Sequence, residues 1–295
     1  MKVILLLISI FIVGCASTDN NQNAENQNGD ITNSDFQKKP LIPFNSSTDQ
    51  FNLEESSLLS SESIYRLDED GISDNDLGGI PLSDIISLCY QRKYDRAFSL
   101  IDNYYVTYKK HANYWNQVGS CYFLKGDYRK AILFYNQALD LNKKYAPPLN
   151  NLGVMFIRQK KYQQAREYLK RAAKYSPRSR TPIFNLAHLY LQFGLVDRAK
   201  RLFTVLHNKD SNDVDVMSGL GSSYLMSGEA NSALEYYKQI DDKYLWRPDI
   251  SLNYAMALRK IGNKSDAIDV FEKIKKSKIG RYQTYYNKVG KFLRR

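Results

Sequence analysis

From Ala112 onward the chain repeats itself every 34 residues with no insertion, and few folds survive that constraint. Frames begin at Ala112, Ala146, Arg180, Val214 and Pro248. Position 8 is always small (Gly119, Gly153, Ala187, Gly221, Ala255), and position 20 is always alanine (Ala131, Ala165, Ala199, Ala233, Ala267). Large residues recur at position 11 (Tyr122, Phe156, Tyr190, Tyr224, Leu258) and at position 24 (Tyr135, Leu169, Phe203, Tyr237, Phe271). A unit of this kind reads as two helices that cross at the small residues, with the large ones filling the space around the crossing. Trp115, Val118, Tyr122, Tyr128 and Tyr135 are that filling in the first frame. Gly126, Gly194, Gly228 and Gly262 at position 15 end the first helix, where a left-handed backbone costs glycine nothing. Asp127 and Asn263 follow as candidate caps of the second helix.

These columns resemble the tetratricopeptide repeat. The resemblance implies an all-α, right-handed superhelical solenoid of about six helix-turn-helix repeats, closed by a C-terminal capping helix. A sixth, degenerate frame at Gly78 keeps Tyr94, Ala97 and Ile101, although Ile85 stands where a small residue belongs and Pro81 delays the first helix. Past the last frame Tyr285, Val289 and Phe292 face inward, while Lys288, Lys291, Arg294 and Arg295 face out, as a helix covering the final apolar face requires. The expected organisation is 1–14 leader, 15–77 tether, 78–281 solenoid and 282–295 capping helix.

The leader has Lys2 followed by a short apolar core, too short to span a bilayer. It ends Ile12-Val13-Gly14-Cys15, which resembles the lipobox of bacterial lipoproteins. That implies cleavage before Cys15, lipidation of Cys15 with palmitate-type acyl chains, and, with Ala16 rather than Asp next, the periplasmic face of the outer membrane. In a cell with one membrane it implies the cell membrane. Residues 16–81 carry 13 acidic and 3 basic side chains, and residues 82–295 carry 18 acidic and 38 basic, so the net charge of +11 joins an acidic segment to a basic one. The acidic segment is rich in Asn, Gln and Ser and reads as a disordered tether.

The basic part does not read as a nucleic-acid binder in an exported protein, nor the whole as an enzyme. His111, His188 and His207 stand in no metal-ligand or triad spacing, so no metal or cofactor is expected. Gly219-Leu220-Gly221 lacks the preceding strand that a dinucleotide fingerprint needs. Cys89 and Cys121 occupy non-equivalent positions in neighbouring frames and are expected as two buried thiols, with a disulfide in an oxidising compartment as the less favoured alternative.

In repeats of this kind the inner wall is lined by first-helix positions 2, 5, 6, 9, 12 and 13. Position 6 is an amide column, with Gln117, Asn151, Asn185 and Asn253, interrupted only by Gly219. Amides both donate and accept, so such a column can hold the backbone of an extended peptide. Asn116, Asn150, Arg158, Phe184, His188 and Gln192 complete the candidate peptide-binding groove, and Ser120 and Ser222 stand on the same wall. Positions 2 and 5 hold no Lys or Arg, which argues against the carboxylate-clamp variant of the family. The positive charge falls instead on second helices and turns: Arg166, Lys170, Arg171, Lys174, Lys200, Arg201, Lys273, Lys275 and Lys276 form the candidate basic outer face. Anionic lipid, wall polymer or the chain's own acidic tether are its candidate partners. The expected function is a membrane-anchored adaptor that binds an extended segment of a partner protein during envelope assembly. Among lipoproteins of this construction the chain most resembles type IV pilus pilotins, which assist secretin assembly. The alternatives are an adaptor recruiting peptidoglycan enzymes, an accessory subunit of outer-membrane protein assembly, a passive spacer, or an enzyme with an unrecognised site.

Overall fold

The computed structural model describes residues 82–295. The leader, Cys15, the acidic tether and the opening of the frame at Gly78 lie outside the described residues. Within them the fold is all-α, with thirteen helices and no strand. In chain order these are α1 (Leu82–Tyr90), α2 (Tyr94–Tyr108), α3 (Ala112–Lys125), α4 (Tyr128–Leu141), α5 (Ala146–Arg158), α6 (Tyr162–Tyr175) and α7 (Arg180–Gln192). They continue as α8 (Val196–Lys209), α9 (Val214–Met226), α10 (Ala230–Tyr237), α11 (Pro248–Lys260), α12 (Lys264–Glu272) and α13 (Gln283–Arg294). First helices therefore start at Ala112, Ala146, Arg180, Val214 and Pro248, and consecutive helices pack as pairs: α3 on α4, α5 on α6, α9 on α10 and α11 on α12. Among the described residues no helix is long and apolar enough to cross a membrane.

Local chemistry at the helix ends explains the punctuation. Gly126, Gly194, Gly228 and Gly262 have φ between 74° and 91°, and the two frames that lack glycine there force Arg92 and Lys160 to φ 59°. Asp127 accepts from the Lys130 amide at 3.1 Å and Asn263 from the Asp266 amide at 3.3 Å, so both cap their helices. Lys93 and Lys161, at the same position in the frames without glycine, offer no side-chain cap.

The described chain divides into two compact units, the division falling inside α7 between Leu186 and Ala187. In the leading unit one core gathers Ile85, Cys89, Ala97, Ile101, Tyr114, Val118, Cys121 and Leu124, and a second gathers Tyr135, Leu149, Leu152 and Met155. Cys89 and Cys121 are joined as a disulfide, with Cα atoms 5.4 Å apart, which corrects the expectation of two thiols. Position 12 of one frame and position 10 of the next look unrelated by number. The packing of α1 against α3 nonetheless turns both side chains into the same fully buried core.

In the trailing unit a core runs from Met217 through Tyr237, Leu252 and Phe271 to Val289, Phe292 and Leu293 of α13. Here α10 stops at Tyr237, and a 3₁₀ turn, Asp242–Tyr244, leads toward α11. Before α11, Arg247 grips Asp249 with two nitrogens and reaches Asp215 on α9 at 2.6 Å. Burial disfavours its charge, but the Asp249 and Asp215 carboxylates more than offset this and keep the guanidinium protonated.

Candidate functional site

The crossing of each helix pair decides what its wall can carry. A Cβ on Gly119 would come within 2.7 Å of the Tyr135 ring, one on Gly153 within 2.7 Å of Leu169, and one on Gly221 within 2.6 Å of Tyr237. The two tyrosines are pulled tight because their hydroxyls meet a serine at position 9: Ser120 with Tyr135 at 3.2 Å and Ser222 with Tyr237 at 3.0 Å. Burial pushes both phenols well above the ordinary range, so they stay neutral donors. Where position 24 is phenylalanine, position 8 is alanine, as in Ala187 with Phe203 and Ala255 with Phe271.

The same logic accounts for the break in the amide column. A Cβ on Gly219 would lie 2.5 Å from the Phe203 ring, so this position belongs to packing and has no room for an amide. Elsewhere the amides are tied to one another and to the serines. In the leading unit Asn185 Nδ2 donates to Asn150 Oδ1 at 2.8 Å, Asn150 Nδ2 to Asn151 Oδ1 at 3.4 Å, and Asn151 Nδ2 to Asn116 Oδ1 at 3.3 Å. In the trailing unit Asn253 Nδ2 donates to Ser222 Oγ at 2.9 Å while Asn253 Oδ1 accepts from the Tyr285 hydroxyl at 2.8 Å. All but the Asn150–Asn151 bond join successive helical units, a structural task that residue spacing alone did not reveal.

The candidate residues thus sort by accessibility. Asn116, Asn150, Asn151, Phe184, Asn185 and Gln192 are buried; Gln117, Arg158 and Asn253 are half-buried; His188 is exposed, its ring edge-on to Phe203 at 5.1 Å. Arg158 lies 4.5 Å from the Phe123 ring centre and donates to the Tyr128 hydroxyl at 3.3 Å. Tyr128 is therefore an exposed partner of Arg158 and not the core filler that its column suggested. Gln117 Oε1 is buried and has no hydrogen-bond partner among the described residues.

The candidate basic face is dispersed. Lys170 and Lys174 on α6 are exposed, whereas Arg166 is largely covered and paired with Glu167, and the half-buried Arg171 reaches the Lys143 carbonyl. In the trailing unit Lys200 pairs with Glu229 and Lys273 with Asp242, Lys275 lies over Trp246, and Arg201 and Lys276 are exposed. Among the described residues no cluster of His, Cys, Asp and Glu has the make-up of a metal site.

Models of the tetratricopeptide repeat match residues 112–145, 156–220 and 249–277. The chain carries tetratricopeptide repeats. No curated protein matches it in sequence. Among solved structures it is similar to PilF of Pseudomonas aeruginosa, at 16% identity over 72% of this chain and 94% of that one, with a TM-score of 0.58. It is similar to PilW, a widely conserved type IV pilus biogenesis factor, at 16% identity over 72% and 99%, with a TM-score of 0.54. A third is YrrB, a tetratricopeptide protein with an unusual peptide-binding site, at 14% identity over 65% and 97%, with a TM-score of 0.51. At these identities the likeness is one of fold.

Proposed function

We propose that this protein is a lipid-anchored adaptor that holds an extended segment of a partner protein against the amide wall of its repeats. The observation that carries this reading is Gln117. Its Oε1 is buried and unpartnered on a wall whose neighbouring amides are chained together. A buried acceptor of this kind calls for a donor, and a backbone N–H of an extended peptide supplies one. In the same unit Arg158 is the other groove residue within a partner's reach, whereas the buried asparagines there hold the repeats in register. The anchor at Cys15 and a place on the periplasmic face of the outer membrane belong to the same proposal. The Cys89–Cys121 disulfide supports export, since such bonds persist in oxidising compartments. The likeness to PilF and PilW makes type IV pilus and secretin assembly the first process to examine, ahead of recruitment of peptidoglycan enzymes or outer-membrane protein assembly.

A photo-crosslinking residue at Gln117, with Lys170 as the outer-face control, tests this in cells. Capture at Gln117 of an envelope protein through one contiguous segment is the expected result. Capture at Lys170 with none at Gln117 would move the working surface to the outer face.

A further inference from the structure

Outside the amide wall, the leading unit carries a row of five aromatic rings. Phe98 of α2 lies 4.8 Å from Tyr122 of α3, Tyr122 stacks on Phe134 of α4 at 5.2 Å, and Phe134 stacks on Trp115 at 5.5 Å. Tyr105 of α2 meets Trp115 edge-on at 6.1 Å. At this end the row reaches the surface. Tyr105 is 45% exposed, its neighbour Val106 76%, and Leu133, beside Phe134, 61%. Lysines stand over the rings: Lys125 at 4.8 Å from Phe98, Lys130 at 5.0 Å from Tyr122 and Lys109 at 5.4 Å from Tyr105. Of these, only Lys130 has a carboxylate within ion-pair distance among the described residues, Asp127 at 3.8 Å. None of these residues belongs to the basic outer face read from the sequence.

We propose that this face docks on an anionic phospholipid surface. Exposed aliphatic tips, amphipathic Trp and Tyr rings and lysines match, in that order, the acyl boundary, the headgroup level and the phosphates of a bilayer. The charge is complementary, because the ammonium groups of Lys109 and Lys125, with no carboxylate at ion-pair distance among the described residues, are drawn to acidic lipid. Val106 and Leu133 enter the acyl boundary, Tyr105 and Trp115 lie at headgroup depth, and Lys109, Lys125 and Lys130 meet phosphates. The first described helix, α1, packs on α2 and α3, two of the helices that carry the row. In one respect the inference rests on the anchor reading. Acyl chains on Cys15 would tether the protein to a bilayer. That keeps the face close to the bilayer, where weak intrinsic affinity suffices.

The test uses the oxidised chain from Ala16 onward, which lacks Cys15 and cannot be acylated, with W246F so that Trp115 is the sole tryptophan reporter. Binding to phosphatidylglycerol–phosphatidylethanolamine vesicles should shift Trp115 emission to the blue and expose it to quenching by brominated acyl chains. The apparent affinity should fall about tenfold or more in phosphatidylcholine vesicles, in 0.5 M salt, or in the V106D/L133D variant, whose substitutions are exposed and leave the helical signal and melting temperature in place. No binding to anionic vesicles, while the acylated protein floats with them, overturns the docking face and leaves the anchor standing. Binding by this chain when Cys15 of the native protein takes up no acyl label supports the face and removes the anchor. Indifference to vesicles, with V106D/L133D instead abolishing a dimer, overturns the proposal in favour of self-association.

Discussion

A methyl group on Gly119 would meet the Tyr135 ring at 2.7 Å and the Ala131 carbonyl oxygen at 3.2 Å, and the ring cannot swing away while its hydroxyl is held by Ser120. G119A should therefore destabilise the protein by about 1–3 kcal/mol, the usual cost of overpacking. Ser120→Ala releases the ring, so in urea titrations the double variant should lose less than the two single losses combined. An additive result would mean that the serine does not hold the ring. At this scale the sequence was partly legible. The small-residue column announced the crossing, but the pairing of Gly with Tyr and of Ala with Phe emerged only when the Ser–Tyr contacts were in place. Gly219 looked like a gap in the amide column because its reason, Phe203, is 16 positions away in sequence and in the preceding repeat.

Among the elements, the pair α1–α2 is the one most in need of help. Its first helix has nine residues, Ile85 replaces the small crossing residue, Arg92 takes a left-handed backbone at φ 59°, and Lys93 gives no side-chain cap. The Cys89–Cys121 disulfide ties this pair to α3 across a separation of 32 residues. By chain entropy alone that link contributes about 3–4 kcal/mol. Reduction, or the C89S/C121S variant, should speed amide hydrogen exchange in α1 and α2 while α9–α12 keep their protection. Uniform loss of protection along the chain would show instead that the disulfide stabilises the whole fold. The period foretold this pair, Tyr94 and Ala97 included, but not the bond. Frame positions describe equivalence between repeats, and a disulfide depends on which non-equivalent side chains face each other.

Over the whole molecule, buried tyrosines set the response to pH. Burial, helped by Asp102 and Tyr105, pushes the Tyr114 phenol up to about 12, and burial raises Tyr135, Tyr237 and Tyr285 beyond that. A phenol whose pKa is higher in the folded state gives stability that is complete below its unfolded value near 10, and that is lost as pH rises through the folded value. Urea unfolding should thus vary little from these groups between pH 7 and 9, then weaken by up to about 1.4 kcal/mol per pH unit for each of them above pH 10. Absorbance at 295 nm should show their ionisation coinciding with unfolding. If they ionise while the helical signal is intact, the burial argument fails.

The sequence by itself determined the all-α class, the 34-residue helix pair, the glycine stops and the caps at Asp127 and Asn263. Each follows from backbone and side-chain preferences that act within a few residues and recur in register. The tertiary structure decided what the polar residues of the wall are for, because Asn116, Asn151, Asn150 and Asn185 spend bonds on one another across repeats. It also decided that Cys89 meets Cys121, that Tyr128 turns outward to Arg158, and that a row of rings surfaces beside Val106 and Leu133. These are distances between side chains some 30 residues apart, fixed by how one helix pair settles on the next, and a period records the repeat without recording that contact.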